Sequence, residues 1–390
     1  MVFITQSKIP NPGERIIGAA TARLNMKLLA VLALSSRVLV FGIAVAAKDT
    51  LPTRSCTQCW DIGVPFVDLF SRWDSGYYAN IAMLGYPHQI TARWAFFPGY
   101  PILIGMLGRF LTITVHLKLV PAVYLAGFLA SNVAFFGAVY YMSRFSALIL
   151  NNRRLAFISA ALLAFYPAGV FLSAVYSDSL FLLLTISSLY YWWRDDLGRS
   201  AALGFLASLT RPVGVLLVVP IVYKLLQDSS RRNAVRYYLP VVGIMLGFLS
   251  FVAYSQLMTG TMFASSIAER SYWLVYFNPY DRFWGNLREM LVNPIILPYL
   301  ILSLSAVVAY IQRVRHRDEA AIGLYAICLL AAYLISPLDS FPRYSITLLP
   351  TYWSFSRWSE QSAARVLICA LFLILLTIGT ALFVDWYGFY

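Results

Sequence analysis

An all-α, multi-pass integral membrane protein, crossing the bilayer roughly ten times, is the fold class this sequence predicts. Two observations carry the prediction. Of the 390 residues, 60% are hydrophobic and only 12% charged, whereas a soluble domain is about half apolar and about a quarter charged. The apolar residues also fall in long runs, at 28–47, 119–142, 155–171, 178–193, 236–257, 294–311, 320–337 and 365–384. A crossing takes about 20 predominantly apolar residues. Such runs must be helical, because the hydrocarbon core offers no water to exposed backbone groups.

Residues 1–27 are mixed in character and read as a cytoplasmic N-terminal segment. No A-x-A site closely follows the first run, so 28–47 reads as a retained span, with Arg37 inside it, and not as a cleaved signal. From 28 to 390 the chain reads as one polytopic membrane domain with outer loops 48–95 and 259–292 and no internal repeat. The basic clusters Lys8/Arg15/Arg23/Lys27, Arg144/Arg153/Arg154, Lys224/Arg231/Arg232/Arg236 and Arg313/Arg315/Arg317 are expected on the cytoplasmic side. The net charge of +13 is thus scattered between spans, a topology signal that argues against a nucleic-acid partner. Two segments must not cross simply if every basic loop is to fall inside. Residues 96–112, opening Phe96-Phe97-Pro98-Gly99-Tyr100-Pro101 and carrying Gly105 and Gly108, read as a helix that dips in and returns. Residues 200–226 hold Thr210-Arg211-Pro212 near their middle and read as two short helices meeting at an outward break. Broken helices at membrane depth are tolerated where they line a cavity.

This topology gathers Asp61, Asp68, Arg72, Asp74, Tyr176, Asp178, Arg211, Glu269, Arg270, Asp339, Arg343 and Tyr344 on the outer face. An ionisable group at the bilayer centre costs about 2.5–3.5 kcal/mol on insertion scales, so such groups tend to face a cavity and carry function. Carboxylates mixed with arginines suit an anionic substrate undergoing acid/base chemistry. Residues 71–86 have helical spacing, with Trp73, Tyr77, Ile81 and Leu84 as one apolar stripe and Gly85 as a stop. Such a helix would lie on the membrane surface with Asp74 where lipid meets water; a solvated charge or a pair with Arg72 is the plainer alternative. Arg211, between apolar runs 203–209 and 213–219, either has a buried partner or a route to the interface, or binds phosphate, which its planar fork suits. Asp178 at a span start either contributes to a helix N-cap with Ser177 or lines a substrate site. Arg343 and Tyr344 follow Asp339-Ser340-Phe341-Pro342 and read as an interfacial anchor, an Arg343–Asp339 pair, or site residues. Glu269-Arg270 reads as a surface pair. Cys56-x-x-Cys59 cannot complete a four-ligand zinc site alone, and both a disulfide and free thiols stay open. His88, His116 and His316 lack metal-ligand spacing, and no glycine motif for nucleotide phosphates is present, so no metal, ATP or sugar nucleotide is expected.

Arg72-Trp73-Asp74-Ser75-x-Tyr77-Tyr78-x-x-Ile81-Ala82-x-x-Gly85-Tyr86, followed by Phe96-Phe97-Pro98-Gly99-Tyr100-Pro101, resembles the first outer loop of the PIG-V-type mannosyltransferases, within the GT-C class of polyprenyl-phosphate-sugar glycosyltransferases. Ser173-Ala174-x-Tyr176-Ser177-Asp178-Ser179-Leu180-Phe181, Leu209-Thr210-Arg211-Pro212-x-Gly214 and Pro342-Arg343-Tyr344 continue the resemblance in order over about residues 28–350, although the family often has Glu where Asp178 stands. The resemblance implies a GT-C-type helical bundle whose first outer loop carries surface amphipathic helices. It also implies an inverting transfer of a hexose, mannose above all, from a polyprenyl (dolichyl) phosphate to an acceptor hydroxyl, on a glycolipid or another molecule, at the extracytoplasmic or lumenal face. The membrane would be the cell membrane in a prokaryote and the endoplasmic reticulum in a eukaryote. The implied base is Asp74, with Asp68 in reserve; the substrate-binding set is Arg72, Tyr77, Tyr78, Tyr176, Asp178, Arg211, Arg343 and Tyr344. A secondary transporter or lipid flippase is the competing class, but it should show an internal pseudo-symmetry that the sequence lacks.

Overall fold

The computed structural model describes residues 12–52, 62–273 and 278–389, and every regular element among them is helical. Five helical segments are long and apolar enough to cross a membrane: Met26–Thr50, Leu119–Leu150, Val235–Thr259, Arg317–Ile335 and Ser362–Val384. The shorter apolar segments Gly99–Val115, Pro212–Gln227 and Ile296–Gln312 complete the bundle, which is that of a multi-pass integral membrane protein. Ten full-length crossings are therefore not seen among the described residues. Two of the expected spans account for much of the difference.

The first is the run 155–171, which is not one helix. Asn152 opens helix Arg153–Ala164 by accepting the backbone N–H groups of Arg154 and Leu155. The helix stops ahead of Pro167, since the residue before a proline is pushed out of the helical region, and only the 3-10 turn Gly169–Leu172 follows. The carbonyls this break leaves are met by Arg37. Its guanidinium donates to Gly169 O (2.8 Å), Ala164 O (3.2 Å) and Ser173 Oγ (3.0 Å), and lies over the Phe135 ring at 4.1 Å. The arginine inside the first span thus ties that span to the broken segment. The second is the run 178–193, a helix from Asp178 to Trp193 of only 16 residues, short of a full-length crossing, with Phe181, Leu182, Ile186, Leu189 and Trp192 all buried.

The break at 210–212 is as expected. Helix Leu197–Thr210 ends at Arg211, whose backbone is extended (φ −148°, ψ 145°), and Pro212–Leu217 and Val218–Gln227 resume the course. The 197–210 helix lies against helix Leu239–Thr259 at close range. A Cβ on Gly247 would collide with the Phe205 carbonyl, and one on Gly243 would sit 2.6 Å from Ala201 O. Small residues spaced four apart let membrane helices approach in this way.

The first outer loop differs from the expectation of a surface helix. Trp73 takes a left-handed backbone (φ 51°) and stands outside the helix, which runs Ser75–Leu84. Leu84 is 69% exposed, and the buried residues are Ser75, Tyr78, Ala79, Ile81 and Ala82. Packing against the 99–115 and 119–150 helices encloses this helix on more than one side, so its burial does not follow a single stripe. The second outer loop forms helices Ala264–Trp273 and Pro279–Val292. Ala264 and Ala268 are buried against Trp94, Phe97 and Phe251, which brings the 264–273 helix over the turn Ala92–Ala95.

Candidate active site

Asp178 begins its helix and Arg211 follows the end of the next, so an antiparallel helix pair carries both to one end of the bundle. They form an ion pair, Arg211 Nη1 to Asp178 Oδ1 at 2.7 Å, with the Asp178 side chain 1% exposed. Asp178 Oδ2 is buried with no hydrogen-bond partner among the described residues. The close approach of Gly99 fixes the neighbouring turn, because a Cβ there would lie 2.6 Å from Thr210 Oγ1.

A second pair joins residues 269 positions apart: Arg343 Nη1 donates to Asp74 Oδ2 at 2.6 Å. Arg343 is buried, and the Asp74 side chain is 16% exposed. Asp74 Oδ1 accepts no hydrogen bond, and Arg343 Nε is a buried donor with no acceptor, among the described residues. Tyr176 locks the arrangement. Its hydroxyl accepts the Asp74 backbone N–H at 3.1 Å, and its ring lies 5.1 Å beneath the Arg343 guanidinium. Tyr344 sits between the two cations, with Arg343 at 5.2 Å and Arg211 at 5.4 Å from its ring, and stacks on Tyr333 at 4.8 Å. Tyr78 shares a hydrogen bond with Ser177 Oγ at 2.8 Å; burial pushes its hydroxyl up to about 12, so it stays protonated. Tyr77 stacks on Phe96 at 5.0 Å, and its hydroxyl is raised by burial, then by the Asp74 and Tyr272 charges.

Seven of the expected residues thus converge: Asp74, Tyr78, Tyr176, Asp178, Arg211, Arg343 and Tyr344, with Tyr77 at the margin. Asp68 and Arg72 form a pair of their own at 2.6 Å. Arg72 also donates to Val384 O at 3.0 Å and lies 5.2 Å from the Trp386 ring, which pins the end of the 362–384 helix. Arg343 pairs with Asp74 in place of the suggested Asp339. Asp61, Cys56 and Cys59 lie outside the described residues.

Glu269 departs most from the sequence reading. No ion pair joins it to Arg270, which is exposed. Glu269 is instead half-buried, and its carboxyl is pushed up to about 7 by burial first and then by the Asp74 charge, with Arg343 opposing. The available signal was Ala264-x-x-x-Ala268, a small-residue face that lets this helix close on its neighbours. An apolar groove of about 460 Å³ runs between the 75–84, 99–115 and 239–259 helices, lined by Ile81, Pro101, Ile102, Met106, Leu209 and Phe251 among others; none of the four ion-pair residues lines it.

A family model described as mannosyltransferase (PIG-V) matches residues 56–228, which include Asp74, Tyr176, Asp178 and Arg211. Over this stretch, a little under half of its length, the chain is similar to the PIG-V-type mannosyltransferases. Among curated relatives of this kind, the GPI mannosyltransferase 2 of Aspergillus fumigatus is 33% identical over 141 residues, 36% of this chain and 26% of that protein. The GPI alpha-1,6-mannosyltransferase 2 of Cricetulus griseus is 35% identical over 148 residues, 37% of this chain and 28% of that protein. This chain therefore covers little more than a quarter of either PIG-V-type relative. The GPI mannosyltransferase 2 of Yarrowia lipolytica aligns more widely, at 23% identity over 76% of this chain and 80% of its own. Two solved structures are similar at a TM-score of 0.48. One is the Archaeoglobus fulgidus oligosaccharyltransferase complex with zinc and sulfate (13% identity; 93% of this chain, 53% of that one). The other is ArnT from Cupriavidus metallidurans bound to undecaprenyl phosphate (11% identity; 93% and 77%).

Proposed function

We propose that this protein is a membrane glycosyltransferase that moves a hexose, namely mannose, from a polyprenyl phosphate to an acceptor hydroxyl at the extracytoplasmic or lumenal face, with inversion at the sugar carbon. The observation that carries the reading is the Asp74–Arg343 pair, in which the other carboxylate oxygen and the buried Nε donor of the guanidinium are unengaged among the described residues. Asp74 Oδ1 takes the acceptor proton, the role of a general base placed within hydrogen-bond reach. Arg343, through Nε, and Arg211 hold the donor phosphate and stabilise it as it leaves, in a site screened from water. Tyr176 fixes Asp74 and Arg343 together, and Tyr78 and Asp178 flank the sugar position. The apolar groove beside 99–115 accepts the first isoprene units. The match of residues 56–228 to the mannosyltransferase (PIG-V) model supports the reaction class; mannose rests on the names of the relatives.

The test is a transfer assay in lipid with radiolabelled polyprenyl-phosphate mannose and a membrane-lipid extract as acceptor. Native protein is expected to move label to a new product, and Asp74→Asn to lose roughly 10²–10⁴-fold in rate. Near-native turnover by Asp74→Asn would remove the base assignment. Label that stays on the donor with native protein would remove the transferase reading.

A further inference from the structure

Glu269 is a carboxylate of the outer face that the proposed mechanism does not use. It stands on helix Ala264–Trp273 one turn before Trp273, and residues four apart lie over one another on a helix face. The Trp273 ring meets Tyr77 at 5.6 Å and Phe96 at 5.6 Å, and Tyr77 lies within the first turn of the helix that Asp74 precedes. The opposite side of the 264–273 helix is anchored through Ala264 and Ala268. Glu269 is therefore held toward Asp74 by packing on both sides, and no hydrogen bond or ion pair among the described residues occupies its carboxyl group.

We propose, on the transferase reading above, that Glu269 with the Tyr77 and Trp273 rings forms the acceptor subsite, and that it takes a sugar or polyol whose adjacent hydroxyls donate to the carboxylate. Aromatic walls with a few placed polar groups are the usual build of a small-molecule site. The charges of Asp74 and Arg343 both act on Glu269, so its carboxylate stands within electrostatic reach of that pair. The attacking hydroxyl is then held between two carboxylates: Asp74 receives its proton as the new glycosidic bond forms and the bond to phosphate breaks, and Glu269 holds the neighbouring hydroxyl.

The ionised carboxyl accepts from two hydroxyls through both oxygens with charge assistance, which the neutral form lacks, and burial raises the Glu269 carboxyl to about 7. The groups on the elements around it are Asp74, Arg343, Tyr77, Tyr272, Arg93 and Tyr254. Of these Arg93 is engaged by Gly85 O at 3.2 Å. Acceptor binding should therefore strengthen as pH rises through about 7.

The experiment measures apparent KM for the membrane-lipid extract and for the labelled donor, from pH 6 to 8, in native protein, Glu269→Gln and the exposed control Arg270→Gln. Loss of hydrogen bonds to a charged group is worth roughly a 10–150-fold change. Glu269→Gln is expected to raise the extract KM by that range, leave the donor KM unchanged and flatten the pH dependence, with a native melting temperature; Arg270→Gln should match native. A native extract KM and pH profile in Glu269→Gln, or a rise in donor KM alone, would overturn the subsite while leaving the transferase reading in place. No transfer by native protein would overturn both.

Discussion

The Arg211–Asp178 pair permits a test that separates holding the fold from holding the donor. Arg211→Gln would leave Asp178, 1% exposed, with neither oxygen paired to a cation, because Oδ2 already has no partner. Breaking a buried pair from one side costs about 3–5 kcal/mol, since an uncompensated charge stays behind. Asp178→Asn should cost a comparable amount from the other side. The double variant Asp178→Asn/Arg211→Gln removes both charges together, so no uncompensated charge stays buried. Stability should then return to within about 1 kcal/mol of native, giving a large coupling energy in the double-mutant cycle. Donor binding should behave differently. Charge-assisted bonds to a phosphate are worth about 1.5–3 kcal/mol each, so Arg211→Gln and the double variant should both lose roughly 10–150-fold in affinity for polyprenyl-phosphate mannose.

The assay is chemical unfolding in detergent beside calorimetric titration of the donor. A double variant that recovers both stability and donor affinity would refute the phosphate role and leave Arg211 a structural residue. An Arg211→Gln protein as stable as native would refute the buried pair itself.

Other substitutions probe the frame and the site. Arg37→Leu should orphan the carbonyls of Ala164 and Gly169 and lower stability by about 2 kcal/mol or more, read as a lower unfolding midpoint; an unchanged midpoint would contradict the clamp. Gly247→Ala should force the 197–210 and 239–259 helices apart and cost about 1–3 kcal/mol, whereas Gly42→Ala, with nothing within 4 Å of its Cβ, should be silent in the same melt. Arg343→Lys keeps a cation beside Asp74 but removes the Nε donor and the planar fork. It should cut transfer at least about tenfold while preserving the fold, read as initial rate at saturating donor.

The sequence made the membrane class, the Arg211 break and the gathering of seven of the named residues legible, because each rests on a local cue: run length, a proline, the ends of spans. It was less informative where partners are distant or where protein substitutes for lipid. An apolar run looks the same whether lipid or neighbouring helices cover it, so 178–193 does not disclose that most of its residues are buried in the bundle. Pro167 lies inside 155–171 and was a usable break signal, but the acceptor carbonyls for Arg37 appear only once 164–173 has folded beside the first helix. Nothing local joins Asp74 to Arg343 across 269 positions. Glu269 next to Arg270 has the appearance of a surface pair until the 264–273 helix is seen to close over the 92–95 turn.

The pairing of both arginines with carboxylates has a chemical consequence on the proposed reading. Free guanidiniums would be mobile and would hold any anion. Held by Asp178 and Asp74 and flanked by the rings of Tyr344 and Tyr176, they are fixed before the donor arrives, which is the condition under which electrostatic stabilisation costs no reorganisation. Charge on the phosphate grows as its bond to the sugar breaks, so the pull on Arg343 grows in the same step. Each increment of guanidinium given to the phosphate is withdrawn from Asp74 Oδ2, which leaves the carboxylate freer to take the acceptor proton. Departure of the leaving group and proton capture are thereby coupled through a single side chain, and the two residues that achieve this come from motifs at opposite ends of the chain.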